Sequence, residues 1–173
     1  AGRIVLPGGT VLIQANGSGS ADGVHFADGS ITSVAGTARM IDGQTIDLSA
    51  GRISARSASG SIAVDAQARL DVSATGQGDA GSLELSAPAG SVTLTGTLAG
   101  TAASERHGAS LSIDSRTAQD LQMLADRLAA TPGNFSGRLE LRNREGDQTL
   151  NAGTRLAAHE VDLSADAGAL RIE

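Results

Sequence analysis

The sequence of 173 residues contains no cysteine, tryptophan, tyrosine or lysine, and it has only two phenylalanines and three prolines. Without cysteine there is no disulfide scaffold, no thiol nucleophile and no cysteine-ligated zinc. So few aromatic rings argue against stacking platforms for sugars or bases. The net charge of −6 argues against binding to nucleic acid, which requires a basic surface. No apolar run approaches the roughly 20 residues of a membrane-spanning helix, so no membrane insertion is expected.

Short apolar alternations occur along most of the chain, separated by turns rich in glycine, asparagine, aspartate and serine. Each alternation predicts a strand of three to five residues with one buried face, and serine, threonine, aspartate and glutamate fill the outward positions. The pattern therefore predicts an all-β protein. The alternating pairs are Ile46-x-Leu48, Ile62-x-Val64, Leu70-x-Val72, Leu83-x-Leu85, Val92-x-Leu94, Leu111-x-Ile113, Leu139-x-Leu141, Val161-x-Leu163 and Leu170-x-Ile172.

Internal repetition narrows the choice of architecture. The segments starting at Ile46, Leu83 and Val161 each read apolar, acidic, leucine, serine, alanine, then a glycine-containing corner and another apolar strand. Like strands recur about 20 residues apart, and such a period is typical of repeat architectures. We expect a parallel β-helix (β-solenoid) of about 20 residues per coil over residues 1–173. A Greek-key sandwich is the alternative, with turn signals every 8–12 residues.

Two regions depart from the repeat. Residues 1–40 form an irregular or hairpin-like start, in which two apolar runs flank Pro7-Gly8-Gly9. Residues 116–134 form a helical insertion, with the helix near 117–130, because apolar residues follow a helical stripe there. Thr117 and Asp120 make a capping box, and Pro132-Gly133 ends the run. The helix either packs on the flank of the strands or binds a partner.

Three stretches resemble the repeats of filamentous-haemagglutinin-like exoproteins, the large secreted adhesins of two-partner secretion in Gram-negative bacteria. They are Gly81–Ala87, Gly90–Leu98 and Glu160–Ala165, and the resemblance covers most of residues 40–115 and 135–173. The family implies a right-handed parallel β-helix. Neither the asparagine-rich motifs of its secretion domain nor a toxin domain is found, so the chain is interpreted as a shaft segment of a longer protein.

The resemblance implies a structural or adhesin role in adhesion, biofilm formation, virulence or toxin presentation. It implies an outer-membrane transporter as partner, a receptor on a host or bacterial surface, and a location outside the cell or on the outer membrane. An autotransporter passenger or a phage-fibre segment is the alternative, and a carbohydrate-active β-helix enzyme is less favoured because the acidic residues are scattered. A strand stack cut from a longer shaft would also expose unpaired edges, so end-to-end self-association is expected.

No catalytic, cofactor-binding or metal-ligating residues are predicted, and the chain is not expected to be an enzyme. His25, His107 and His159 lie far apart without metal-ligand spacing, although His107 follows Glu105-Arg106 and His159 precedes Glu160. Loops at Asp22, Asp28 and Asp42 and the fragment Gly76-Gln77-Gly78-Asp79 suggest calcium, but the repeated nonapeptide of calcium-binding β-rolls is missing. The partner-binding residues remain unassigned.

Overall fold

The computed structural model describes residues 2–103 and 106–173. The described residues form seventeen strands and one helix, arranged as four parallel sheets and one antiparallel pair. The strands are β1 (Arg3–Val5), β2 (Thr10–Ala15), β3 (Val24–Phe26), β4 (Ile31–Ser33), β5 (Ala38–Ile41), β6 (Gln44–Asp47), β7 (Arg52–Ser57), β8 (Ile62–Val64), β9 (Arg69–Asp71), β10 (Ser82–Ala87), β11 (Val92–Leu94), β12 (Thr97–Ala99), β13 (Ser110–Thr117), β14 (Arg138–Glu145), β15 (Gln148–Leu150), β16 (Glu160–Ala165) and β17 (Leu170–Ile172).

The largest sheet contains six parallel strands in the order β16-β14-β13-β10-β7-β2. Strands β7, β10, β13 and β14 alternate in burial, as the sequence pattern predicts for a sheet with one face on the core. Strand β16, at the edge of the sheet, does not alternate, and Val161, predicted to face the core, is exposed. Ile53, Leu83, Leu111 and Leu139 lie opposite one another in register and form one continuous buried row. The residues predicted to point inward are all buried: Leu85, Val92, Leu94, Leu111 and Ile113.

The expected fold, a single right-handed parallel β-helix with about 20 residues per coil, is wrong. The strands form several small separate sheets, and β5 and β6 pair antiparallel. Paired residues in the centre of the chain are 28 to 30 positions apart, as for Ser82 with Ser110 and with Arg52. A spacing of about 20 residues relates strands of different sheets here. The alternations at Leu70 and Val92 are 22 positions apart and look alike in sequence, but Leu70 pairs with Leu98 and Val92 pairs with Ile62.

The hairpin of the structure lies at β5–β6 and not about Pro7-Gly8-Gly9. β1 pairs with β4 and β2 with β7, so these first two strands belong to different sheets. Asp42 and Gly43 join β5 to β6 with positive φ angles of 50° and 77°, which suit a two-residue hairpin turn. The alternation predicted that Ile46 and Leu48 lie on the buried face of a strand, but Ile46 is 43% exposed in the projecting hairpin and Leu48, directly after it, is 40% exposed.

Helix α1 comprises Leu121–Ala129 and begins four residues later than the predicted start at Thr117. Asp120 is its N-cap, because the Asp120 carboxylate accepts a hydrogen bond of 2.9 Å from the backbone N–H of Met123. The buried side of the helix consists of Leu121, Leu124, Ala125 and Leu128. No helix within the described ranges is long and apolar enough to cross a membrane.

The segment that follows β13 covers the outer edge of β12 and contacts the two ends of β11, and both are the last strands of their sheets. Arg127 donates two hydrogen bonds of 2.8 Å to the carbonyl oxygens of Thr95 and Gly96. The buried side-chain amide of Asn134 makes the pair of hydrogen bonds that a neighbouring strand would make with the edge of β12. It accepts from the N–H of Gly100 at 2.7 Å and donates to the carbonyl of Leu98 at 3.0 Å.

Phe135 anchors this covering segment in the core. Its ring is fully buried, and its φ of 47° is unusual for a residue other than glycine. The backbone N–H of Phe135 also donates to the carbonyl of Gly100 at 3.3 Å. So large an apolar side chain is seldom left exposed, and packing the ring in the core fixes the end of the segment.

Glycines at the start of the large sheet allow its strands to approach one another closely. A Cβ atom at Gly51 would overlap the carbonyl oxygen of Gly9, and one at Gly81 would overlap that of Gly51.

We expect Gly81→Ala to destabilise the fold by about 1–3 kcal/mol, because the added methyl group would clash with the backbone carbonyl group of Gly51, which cannot rotate away as a side chain could. Gly2→Ala, which would meet nothing within 4 Å, should leave the denaturation midpoint unchanged. Urea unfolding measures both, and equal midpoints for the two variants would contradict the close approach.

The amide of Asn134 provides a second test of the fold. Asn134→Leu keeps the size of the side chain but leaves the Leu98 carbonyl and the Gly100 N–H without their partner, so we expect a loss of about 2–4 kcal/mol in the free energy of unfolding. Asn151→Leu, at an exposed asparagine, is the matched control and should change stability little. A similar loss in both variants would show that the pairing of Asn134 with the edge of β12 contributes nothing.

Candidate functional site: the outer face of the large sheet

The outward side of the six-stranded sheet, here called the outer face, carries mostly polar side chains. Its composition follows from the alternation, because every second residue of each strand points away from the core. Its members are Thr10, Leu12, Gln14, Arg52, Ser54, Arg56, Ser82, Glu84, Ser86, Ser110, Ser112, Asp114, Arg138, Glu140, Arg142, Arg144, Glu160, Asp162 and Ser164.

The middle of the outer face is a shallow trough. Its floor is formed by β10 and β13, which carry small side chains at Ser82, Ser86, Ser110 and Ser112. Long arginines of the flanking strands β7 and β14 border this floor on both sides. Two adjoining clefts of about 460 and 350 Å³ occupy the trough, and both are lined by Glu84, Ser112 and Glu140.

Ion pairs between neighbouring strands hold the arginine side chains in place. Arg144 donates two hydrogen bonds to Asp114, at 2.7 and 2.9 Å, and Arg52 pairs with Glu84. Arg138 lies among three carboxylates, with its nearest contact to Glu160 at 3.0 Å. These pairs are partly exposed and contribute little stability each, but together they set the orientation of the guanidinium groups.

The guanidinium of Arg142 holds the pKa of Asp166 below its usual range, because it donates hydrogen bonds to both carboxylate oxygens, Oδ1 and Oδ2. The same contact raises the pKa of Arg142, and a hydrogen bond to Asp114 raises that of Arg144. These side chains therefore stay charged at neutral pH. A carboxylate fixed in its ionised form can accept hydrogen bonds but does not suit the role of a general acid.

Arg56 differs from the other arginines of the outer face. It lies between Gln14 and Ser86 in one cross-strand row, and neither an ion pair nor a side-chain hydrogen bond engages it within residues 2–103 and 106–173. Its five N–H donors are thus open to a ligand beside the hydroxyl of Ser86. Such a guanidinium suits carboxylate, phosphate or other oxygen-rich groups.

Two of the three histidines singled out in the sequence lie next to each other in the structure. His107 and His159 come together, with ring centroids 4.5 Å apart, at the start of β13 and β16. His25 lies elsewhere and contacts Asp65 at 2.8 Å. Glu105, the proposed neighbour of His107, lies outside the described residues. In the part of the chain that the structure describes, no three acidic or histidine side chains gather as metal ligands.

The aspartates that suggested calcium serve local structure. Asp22 accepts from the N–H of Gly19 at 2.8 Å, and Asp28 accepts from the N–H of Gln67 at 2.9 Å. Asp79 pairs with Arg106. Asp42 lies in the turn between β5 and β6. Within residues 2–103 and 106–173 these carboxylates are not gathered in a group of three or more metal ligands.

Serine and acidic residues were predicted at outward positions from the sequence, but the arginines that border the trough were not. Their signal is present, because Arg52, Arg56, Arg138 and Arg142 all occupy outward positions of an apolar alternation. That they form two facing rows depends on which strands are neighbours, and this is a property of the tertiary structure.

No protein-family model, curated protein or solved structure matches the chain. The outer face is therefore interpreted from its own chemistry.

The ion pair of Arg142 and Asp166 predicts a measurable titration. Arg142→Gln should raise the pKa of Asp166 towards its ordinary value of about 3.9, because the hydrogen bonds to the charged form are lost. Since the pKa is lowered in the folded state, the pair stabilises the protein above the pKa of unfolded aspartate, and this contribution disappears as the pH falls through the folded pKa. Carboxyl-carbon NMR measures the shift. Arg39→Gln, at an exposed arginine of the β5–β6 hairpin, should leave Asp166 unchanged.

Proposed function

We propose that this chain is a structural and adhesive segment of a secreted or surface-displayed bacterial exoprotein, and that it adheres through the outer face. The observation that carries the proposal is the trough of serines bordered by arginines, in which carboxylates are ion-paired and Arg56 is free to bind. Such a surface presents fixed donors and acceptors over several strands. It is suited to binding polar polymers at a cell surface.

The chemistry of the trough supports binding and does not favour turnover. Histidine is missing from its lining, and its carboxylates Glu84 and Asp114 face arginines. The resemblance to filamentous-haemagglutinin-like repeats supports the same role, since two of the resembling stretches, Gly81–Ala87 and Glu160–Ala165, contain strands β10 and β16 of this sheet. Export through an outer-membrane transporter and a location outside the cell belong to the proposal.

Adhesion of coated beads tests the role of the outer face. Fluorescent beads carrying the purified chain are counted on bacterial and epithelial cell layers. The double variant Arg52→Ser, Arg56→Ser should lower bead retention by about tenfold, because it removes one arginine border of the trough and its uncommitted guanidinium. Circular dichroism checks that the variant retains its fold.

The matched control is the double variant Arg3→Ser, Arg155→Ser, which changes the net charge equally at exposed sites away from the outer face. It should retain beads as well as the unmodified chain does. An equal loss of bead retention in the two variants would show that retention depends on net charge and not on the outer face. Undiminished retention in both would refute adhesion through the outer face.

A further inference from the structure

The exposed edge of β11 has main-chain groups without a strand partner. Ile62 donates its N–H to the carbonyl of Ser91, and Thr95 donates to that of Val64. In a parallel pair this pattern directs the N–H and C=O of Thr93 towards β8, so those of Val92 and Leu94 point away from it. β11 is the last strand of its sheet, and no described strand pairs with this side.

The two ends of this edge are closed by other parts of the chain. The N–H of Arg116 donates to the carbonyl of Gly90 at 2.8 Å, and the Arg127 side chain binds the carbonyl of Thr95. Between these points, Val92 and Leu94 offer two donors and two acceptors. Their spacing of about 6.6 Å is the two-residue repeat of an extended chain.

A cleft of about 300 Å³ lies beside this edge. Its opposite wall is formed by residues 117–120 and by helix α1, from which Met123 and Leu124 line the space. It meets a second cleft of about 630 Å³ along Thr95–Leu98, and Met123 and Arg127 line both. An edge strand and a helix thus form the two sides of a groove.

We propose that this groove binds an extended peptide segment of another protein, which adds to β11 as the fourth strand of its sheet. The occupant is deduced from the edge itself, because donors and acceptors that alternate at strand spacing are matched by another extended main chain. The small cleft and the buried Leu124 beside it select small side chains at the positions that face the helix. The groove is independent of the adhesive role of the outer face, which lies on a different sheet.

The experiment titrates the isotopically labelled full chain with capped pentapeptides, Thr-X-Thr-X-Thr, in which X is glycine, alanine, serine or valine. Amide NMR should show saturable shifts at Val92 and Leu94 and slower hydrogen exchange there, with a preference for the smaller X residues. Amides of the outer face should not respond. No saturable shift at these two amides with any of the four peptides would overturn the proposal.

Alternate N-methylation separates strand addition from simple apolar contact. In an extended peptide the N–H groups of the X residues and of the Thr residues point to opposite edges, and only one edge faces β11. Methylation of the amides on that edge should weaken binding by about tenfold or more, and methylation of the other set should not. Equal binding by both methylated peptides would contradict main-chain pairing. Shifts that follow protein concentration without peptide would assign the groove to a second copy of this chain and would also overturn the proposal.

Ala118→Trp and Ala129→Trp form a matched pair of variants. Both alanines are exposed, but Ala118 lines the groove and Ala129 lies on a different cleft beside the helix. Ala118→Trp should abolish peptide binding by filling the space, whereas Ala129→Trp should bind as the unmodified chain does. Equal binding by both variants would be evidence against the groove.

Discussion

The need to satisfy main-chain hydrogen-bonding groups at the edges of parallel sheets governs this structure. A parallel sheet can be extended on either side, and each open edge leaves unpaired N–H and C=O groups. The large sheet continues through β13, β14 and β16, whereas the sheets that end at β11 and β12 stop beside helix α1. The chain therefore requires side chains that take the place of a further strand.

The side-chain amide of Asn134 performs this substitution at the edge of β12. Asn134 accepts from Gly100 and donates to Leu98, and Gln148 makes the same two-way contact with the backbone of Gln119. Both amides are buried, where an unsatisfied polar group would be costly. The edge of β11 receives such help at its ends alone, and this incomplete cover leaves the groove beside Met123 open.

The same strand pairing creates the outer face. Parallel register places Ser82 and Ser110 side by side between Arg52 and Arg138, so that small residues form a floor and long residues form its borders. The charges are distributed between strands that are far apart in the chain. Binding at this surface would consequently depend on the integrity of the whole sheet and not on any single loop.

Local pattern was sufficient to predict much of the buried side of the protein. Leu111 and Ile113 face the core because a strand has a two-residue period, and Leu124 and Leu128 face it because a helix places such residues on one side. Ile46 followed the same alternation but is exposed, because the turn at Asp42 and Gly43 folds its strand into a projecting hairpin. An alternating sequence predicts that a strand has an apolar and a polar face, but it does not determine whether the apolar face is packed against another part of the protein.

The sequence by itself determined the all-β character, the presence of a helix before Pro132 and the inward side of most strands, because these depend on contacts between near neighbours in the chain. Only the tertiary structure decided which strands are partners. Residues 28 to 30 positions apart pair in the centre of the sheets, and 22 apart in β14 with β16. Strands with the same alternating pattern are nearly interchangeable in sequence. Their pairing is selected by the lengths of the connections, by the close backbone contacts that glycines allow, and by side-chain amides that bind strand edges. This pairing in turn forms the trough and the groove.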